Sequence, residues 1–205
     1  YMLERGKAAG VKVAALVGAK EHAIKQVEAG VDILVVAGGE AGGHCGEVST
    51  LVLVPEVADA IKPYGDTPIL AAGGIVTGRQ MAACMAMGAS GVWTGSVWLT
   101  TVEAETSPVV KTKMLAASSK DTVRSKARTG KSARQLRTAW TDAWESDDAP
   151  EPLPMPLQSI VSEPAMARIT KLAEGGHEGA TKLASYFVGQ GVGLMNESLS
   201  TKAVV

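Results

Sequence analysis

The chain is 205 residues long, 46% hydrophobic and 20% charged, and its 20 Lys and Arg against 21 Asp and Glu leave a net charge of -1. That length allows one real core, and that balance argues against a generally basic nucleic-acid binder and a disordered chain. With no run of eighteen apolar residues, a helical membrane span is excluded as well. Aromatics make up only 4%, so the core is expected from Ala, Val, Leu, Ile and Met, with 23 Gly in the connections, a composition suited to α/β packing. Cys45 and Cys84 have neither a disulfide framework nor metal-type spacing. No metal site is expected, and a reducing, cytoplasmic setting is. Tyr1 is neither an initiator Met nor a residue that normally remains after Met removal, so the chain reads as trimmed.

From Gly10 to Leu99 one unit recurs. Val11–Val17 is an apolar run ending at Gly18, and Ala19–Ala29 has helical spacing and stops at Gly30. Asp32–Ala37 is a second β-branched run ending at Gly38 and Gly39, and after a Gly-rich loop Pro55 is expected to open a short helix through Ile61. Pro68–Ala72 is the third run, ending at Gly73 and Gly74; Thr77 is expected to cap a helix that stops at Gly88. Gly91–Thr94 is the fourth run, ending at Gly95. Continuous apolar strands alternating with helices imply parallel βα units, and in such folds ligands bind at the carboxyl ends of the strands. Each strand ends in glycine there, where a backbone without Cβ can approach a phosphate or a flat ring.

After Leu99 the repeat dissolves. Ser107 and Pro108 are expected to start a helix to about Ala117. A basic stretch follows, Lys111 to Arg137, closed by Trp140 and Trp144 at helical spacing. Residues 146–158 read as an extended Pro-rich crossing. Ser162–Ala173 reads as a helix with Pro164 in its first turn, and Thr181–Val188 as a further helix.

The segment Gly38–Glu47, GGEAGGHCGE, is the most informative. His44 sits at a strand's carboxyl end between glycine-rich neighbours, and its near-neutral intrinsic pKa suits a general base toward a carbon acid. Glu40 is the better candidate to orient it, ahead of Glu47, and Cys45 reads as a packing residue. A second constellation joins Gly73 and Gly74 with Gly95 and Ser96, whose amides and hydroxyl would form an anion nest.

These residues carry a resemblance. GGEAGGHCGEVSTLVLVPEV, PILAAGGIVTGRQMAACMAMGASGVWTGSVWL and YFVGQGVG together resemble the nitronate monooxygenase family, formerly the 2-nitropropane dioxygenases. The Glu-Ala-Gly-Gly-His motif is the specific part. The resemblance implies an FMN-dependent (β/α)8 barrel, in which His44 acts as base or substrate contact, and the cofactor residues are Gly42, Gly43, Gly73, Gly74, Gly95, Ser96 and Gln190. Gly73-Gly74 and Gly95-Ser96 would hold the FMN phosphate, and Gln190 would lie near the flavin. There are two departures: Ala37 stands where many members carry Gln, and Gly95-Ser96-Val97-Trp98 replaces a common Gly-Thr-Arg-Phe.

The implied reaction oxidises alkyl nitronates or nitroalkanes with O2 to carbonyl compounds and nitrite. Two alternatives stand beside it. One is an FMN- and NAD(P)H-dependent enoyl-thioester reductase, for which the basic stretch could form a cationic rim. The other is a non-redox phosphate-binding βα protein. A complete barrel takes about 250 residues and eight strands, so the four strands here read as strands five to eight. Residues 1–100 are then the carboxyl half of the barrel, and residues 101–205 a helical substrate-side insertion, the Pro-rich crossing and a closing segment. The expected partners are a small-molecule substrate, O2 and the amino-terminal half of the barrel, with a homo-oligomer allowed and no nucleic acid or membrane.

Overall fold

The β-branched runs become strands where the sequence places them. The computed structural model describes residues 2–205, so Tyr1 lies outside the described residues. Two compact units emerge, one of residues up to Ala41 with Cys45–Thr94, the other of Gly42–His44 with Gly95–Val205.

The first unit opens with α1 (Met2–Ala8), followed by β1 (Ala14–Val17), α2 (Lys20–Glu28) and β2 (Ile33–Ala37). After the two-residue β3 (Gly43–His44), which belongs to the second unit, come α3 (Thr50–Ile61), β4 (Ile69–Ala72), α4 (Gly78–Ala86) and β5 (Gly91–Trp93). The sheet order is β1-β2-β4-β5, every pair parallel, with Val17 opposite Val36, Val36 opposite Ala71 and Ala72 opposite Trp93. Strand order follows chain order without reversal. The period of two divides the central strands between two faces. Leu34 and Val36 pack with Leu53, Val54, Val57 and Ala71, while Val35, Ala37 and Ala72 form a smaller cluster on their own. β1 and β5 are paired on one side only and leave Leu16 63% and Trp93 55% exposed.

Two helix boundaries differ from expectation or explain it. Pro55 lies inside α3 rather than at its start. The ring removes the bond to the carbonyl of Leu51, a residue on the exposed side of the helix, where the loss is tolerated. Thr77 does cap α4, in a reciprocal box with Gln80.

The second unit contains a 3-10 turn (Ser96–Thr100), α5 (Pro108–Ala116), β6 (Thr122–Ser125) and β7 (Ala133–Leu136). Then follow α6 (Ala139–Trp144), α7 (Leu157–Glu174), α8 (Glu178–Leu183), a 3-10 turn (Gln190–Leu194) and α9 (Thr201–Val204). β6 and β7 form an antiparallel hairpin, and β3 adds to β7, so the order is β3-β7-β6. Residues 101–205 are therefore not a purely helical insertion: the basic stretch is largely this hairpin, in which Thr122 and Val123 favour extended backbone and β7 buries Ala133 and Gln135 at alternate positions. α7 begins at Leu157, not Ser162, and Pro164 lies within it, its lost partner being Ile160 on an exposed face. The helix expected at Thr181–Val188 instead ends at Leu183, and the chain continues extended, where Phe187 bridges Gln135. The core here is Val110, Met114, Leu136, Ala184, Val188 and Val192. Trp140 and Trp144 lie with ring centroids 5.9 Å apart. No helix among the described residues is long and apolar enough to cross a membrane.

Candidate active site

His44 is exposed and held by backbone pairing, its Cα opposite Ala133 on β7. Its Nε2 lies 2.8 Å from Thr129 Oγ1, and that hydroxyl donates to Lys131 O at 2.9 Å. Partial burial and the positive charge of Lys131 hold the imidazole below its ordinary pKa of 6.5. His44 is thus neutral at pH 7 and can accept a proton. Glu40, expected to orient His44, serves another purpose. Its Oε2 accepts from Thr50 N at 2.8 Å and lies 2.9 Å from Thr50 Oγ1, so the carboxylate satisfies the amino-terminal turn of α3. Cys45 Sγ lies 3.6 Å from Gly39 O, and Cys84 is buried in the core.

In the first unit, Gly73 has φ +114 and Gly74 φ +68. A Cβ on Gly73 would stand 2.8 Å from Thr50 Oγ1. Side chains engage the carbonyls of this loop: Thr50 Oγ1 is 3.3 Å from Gly73 O, and Gln80 Nε2 donates to Gly74 O at 2.7 Å. Among the described residues no protein acceptor engages the amides of Gly73 and Gly74. With the Gly74 carbonyl held by Gln80 and both amides open, the loop fits an anion such as a phosphate.

In the second unit, Gly189 brings three of the expected residues together. Its N–H donates to Ser96 Oγ at 2.9 Å, Gln190 follows it in sequence, and a Cβ on Gly42 would stand 2.8 Å from its nitrogen. Gly42 is therefore fixed by close backbone approach. Ser96 Oγ accepts that bond and keeps its own proton for another acceptor. Nothing lies within 4 Å of a Cβ placed on Gly95 or on Gly43, so both leave open space. The amides of Gly95 and Ser96 have no protein acceptor among the described residues. These donors also fit the phosphate of the implied FMN.

Some residues of the second unit were not indicated by the sequence. Thr129 lies 85 residues from His44, and no local pattern marks the pairing. Arg128 is 8% exposed and forked onto Glu163, with Nε to Oε1 at 2.8 Å and Nη2 to Oε2 at 3.1 Å. Its carbon Cζ lies 4.7 Å from the Phe187 ring centroid and 5.3 Å from that of Tyr186. Arg128, Glu163, Ser107 and Tyr186 line a cavity of about 390 Å3. Much of the basic stretch is also engaged within the unit. Lys111 Nζ donates to Thr101 O at 2.7 Å, Lys113 Nζ to Ala184 O at 2.9 Å, and Arg137 pairs with Asp142 at 2.8 Å.

The sequence matches the nitronate monooxygenase family over residues 1–205. The chain belongs to this family. A Mycobacterium tuberculosis (strain ATCC 25618 / H37Rv) protein named as a monooxygenase, Rv1533, is 58% identical over 205 residues, 100% of this chain and 54% of that protein. FabK from Thermotoga maritima is similar at 34% identity and TM-score 0.78, over 98% of this chain and 60% of its own. Nitroalkane oxidase from Streptomyces ansochromogenes is similar at 25% identity and TM-score 0.84, over 98% and 57%. The chain thus spans somewhat more than half the length of these relatives. The nitronate monooxygenase family and its neighbours are flavin-dependent oxidoreductases, and the α/β fold with a parallel sheet is common to them.

Proposed function

We propose that this chain is the carboxyl half of an FMN-dependent (β/α)8 barrel that oxidises alkyl nitronates or nitroalkanes with O2 to carbonyl compounds and nitrite. The observation that carries the reading is a neutral, exposed His44 in the Glu-Ala-Gly-Gly-His motif of a nitronate monooxygenase family member. His44 removes the α-proton of a neutral nitroalkane; the C–H electron pair stays on the substrate, which becomes the nitronate. A nitronate supplied as such is already deprotonated and does not need His44 as a base. FMN, when bound, supplies the electron acceptor for the oxidation. In the first unit the amides of Gly73 and Gly74 are the donors for its phosphate. In the second unit we assign that role to the amides of Gly95 and Ser96 with the Ser96 hydroxyl, the flavin-side contacts to Gln190, and open approach to Gly42 and Gly43.

The half-paired strands β1 and β5, with Leu16 and Trp93 exposed, support closure by further βα units from the same or another polypeptide. The greater length of the relatives supports the same reading.

The similarity to FabK favours an enoyl-thioester reductase as the second reading. The internal engagement of Lys111, Lys113, Arg128 and Arg137 weakens it, because these side chains do not form a free cationic rim for a thioester cofactor. Oxygen-electrode and nitrite assays on the flavin-loaded protein separate the two. Nitrite formation with O2 uptake on adding an alkyl nitronate supports the first. Flavin bleaching by a reduced nicotinamide, reversed by an enoyl thioester without nitrite chemistry, replaces it with the second.

A further inference from the structure

We propose that Thr129 is a positioning residue that fixes which imidazole nitrogen of His44 is basic. The inference rests on the reading of His44 as the base and adds the atom at which it works.

Thr129 Oγ1 has one proton and two lone pairs. Its proton is committed to Lys131 O at 2.9 Å, and the Lys131 N–H approaches the same oxygen at 3.3 Å. With that proton on Lys131 O the oxygen accepts from His44, and Nε2, 2.8 Å away, carries the hydrogen. A neutral imidazole has one N–H, and Nδ1 is left bare as the proton acceptor.

The support is built for this purpose. The β6–β7 hairpin supplies both ends of the interaction: β7 pairs His44 through β3, and the turn of the hairpin carries Thr129. That turn is pinned on both sides of Thr129. Before it, the Arg128 carbonyl accepts from the buried Ser162 hydroxyl at 2.5 Å, and the Arg128 guanidinium is forked onto Glu163. After it, Gly130 has φ +79 and packs so closely on Pro154 and Met155 that a Cβ would stand 2.7 Å from Met155 N. An oxygen held this firmly fixes ring orientation as well as tautomer.

The test combines spectroscopy with kinetics. Long-range 1H–15N NMR of the imidazole in the full protein is expected to show a protonated Nε2 and an unprotonated Nδ1. In Thr129→Val this signature is expected to shift toward a mixture, and in Thr129→Ser to return. kcat/KM for a nitroalkane is expected to fall about tenfold in Thr129→Val, with the serine variant restored, while turnover of the preformed nitronate changes little. A wild-type spectrum with Nδ1 protonated overturns the proposal. So does a valine variant whose tautomer and nitroalkane kinetics both match wild type. The spectrum needs no turnover, so it still judges Thr129 if His44 proves not to be the base.

Discussion

The parallel sheet of the first unit and the β3-β7-β6 sheet of the second offer a ligand different kinds of group. The first ends in backbone: Gly73 and Gly74, with the Gly74 carbonyl held by Gln80 and both amides open. The second presents a titratable side chain, His44 on β3, with its hydrogen-bond partner in the turn of the β6–β7 hairpin that β3 joins. Backbone amides do not titrate, so the protein side of anion holding adds no pH dependence of its own. An imidazole does titrate, and its behaviour depends on partners far away in sequence. On this account the pH dependence of the reaction arises in the second unit and cofactor retention depends on glycine geometry.

Substitutions can break this division or sharpen it. Among the positions that hold the cofactor or support His44, the largest effect is expected from Gly73→Val. A β-branched residue at φ +114 facing Thr50 costs about 1–3 kcal/mol in backbone strain alone. FMN affinity, followed by flavin fluorescence on titration, should fall at least about tenfold, which is 1.4 kcal/mol. Gly42→Val tests the second unit. Its Cβ meets Gly189 N and the Val188 carbonyl carbon at 2.8 Å, and the overpacking is expected to cost about 1–3 kcal/mol in urea unfolding. Glu163→Gln is expected to cost no more than about 1 kcal/mol, because the Glu163 side chain is 48% exposed while Arg128 keeps its ring contacts. The hydrogen bond from Arg128 holds the Glu163 carboxyl below its ordinary value. Its contribution is present above the unfolded carboxylate pKa and is lost as pH falls through the folded one, so the variant should flatten the acid side of the stability profile.

Lys131→Gln should give the smallest change, and only its direction is specified. Burial and the Lys131 charge lower the His44 pKa, so the neutral base persists into mild acid and is lost as pH falls through that depressed value. Removing the charge raises the pKa, and the acid limb of kcat/KM for a nitroalkane should move to higher pH. A limb that moves to lower pH, or does not move, would separate His44 from the titration.

The strands of the first unit were legible because continuous apolar runs ending in glycine have few other readings. Thr77 with Gln80 was legible for a similar reason, since a reciprocal cap is encoded over three residues. Pro55 and Pro164 were misread as helix starts. Proline is tolerated inside a helix where the carbonyl it orphans is on the wet side, and that is settled by which face packs. The hairpin was hidden because TVRS and ARQL are short and carry arginines on strands that pair only once the chain has folded. Glu40 was assigned to His44 on proximity in sequence, whereas the amide of Thr50 claims it. The Thr129 contact had no local signal at all.

His44→Asn tests whether His44 is the base of a flavin oxidoreductase. The measurement is steady-state O2 uptake and nitrite release with a neutral nitroalkane, with bound flavin quantified in the same preparation. Nitroalkane turnover is expected to fall by about 100-fold or more, the scale of a lost general base, while flavin remains bound. Turnover of nitroalkane and nitronate alike at the wild-type rate would contradict it.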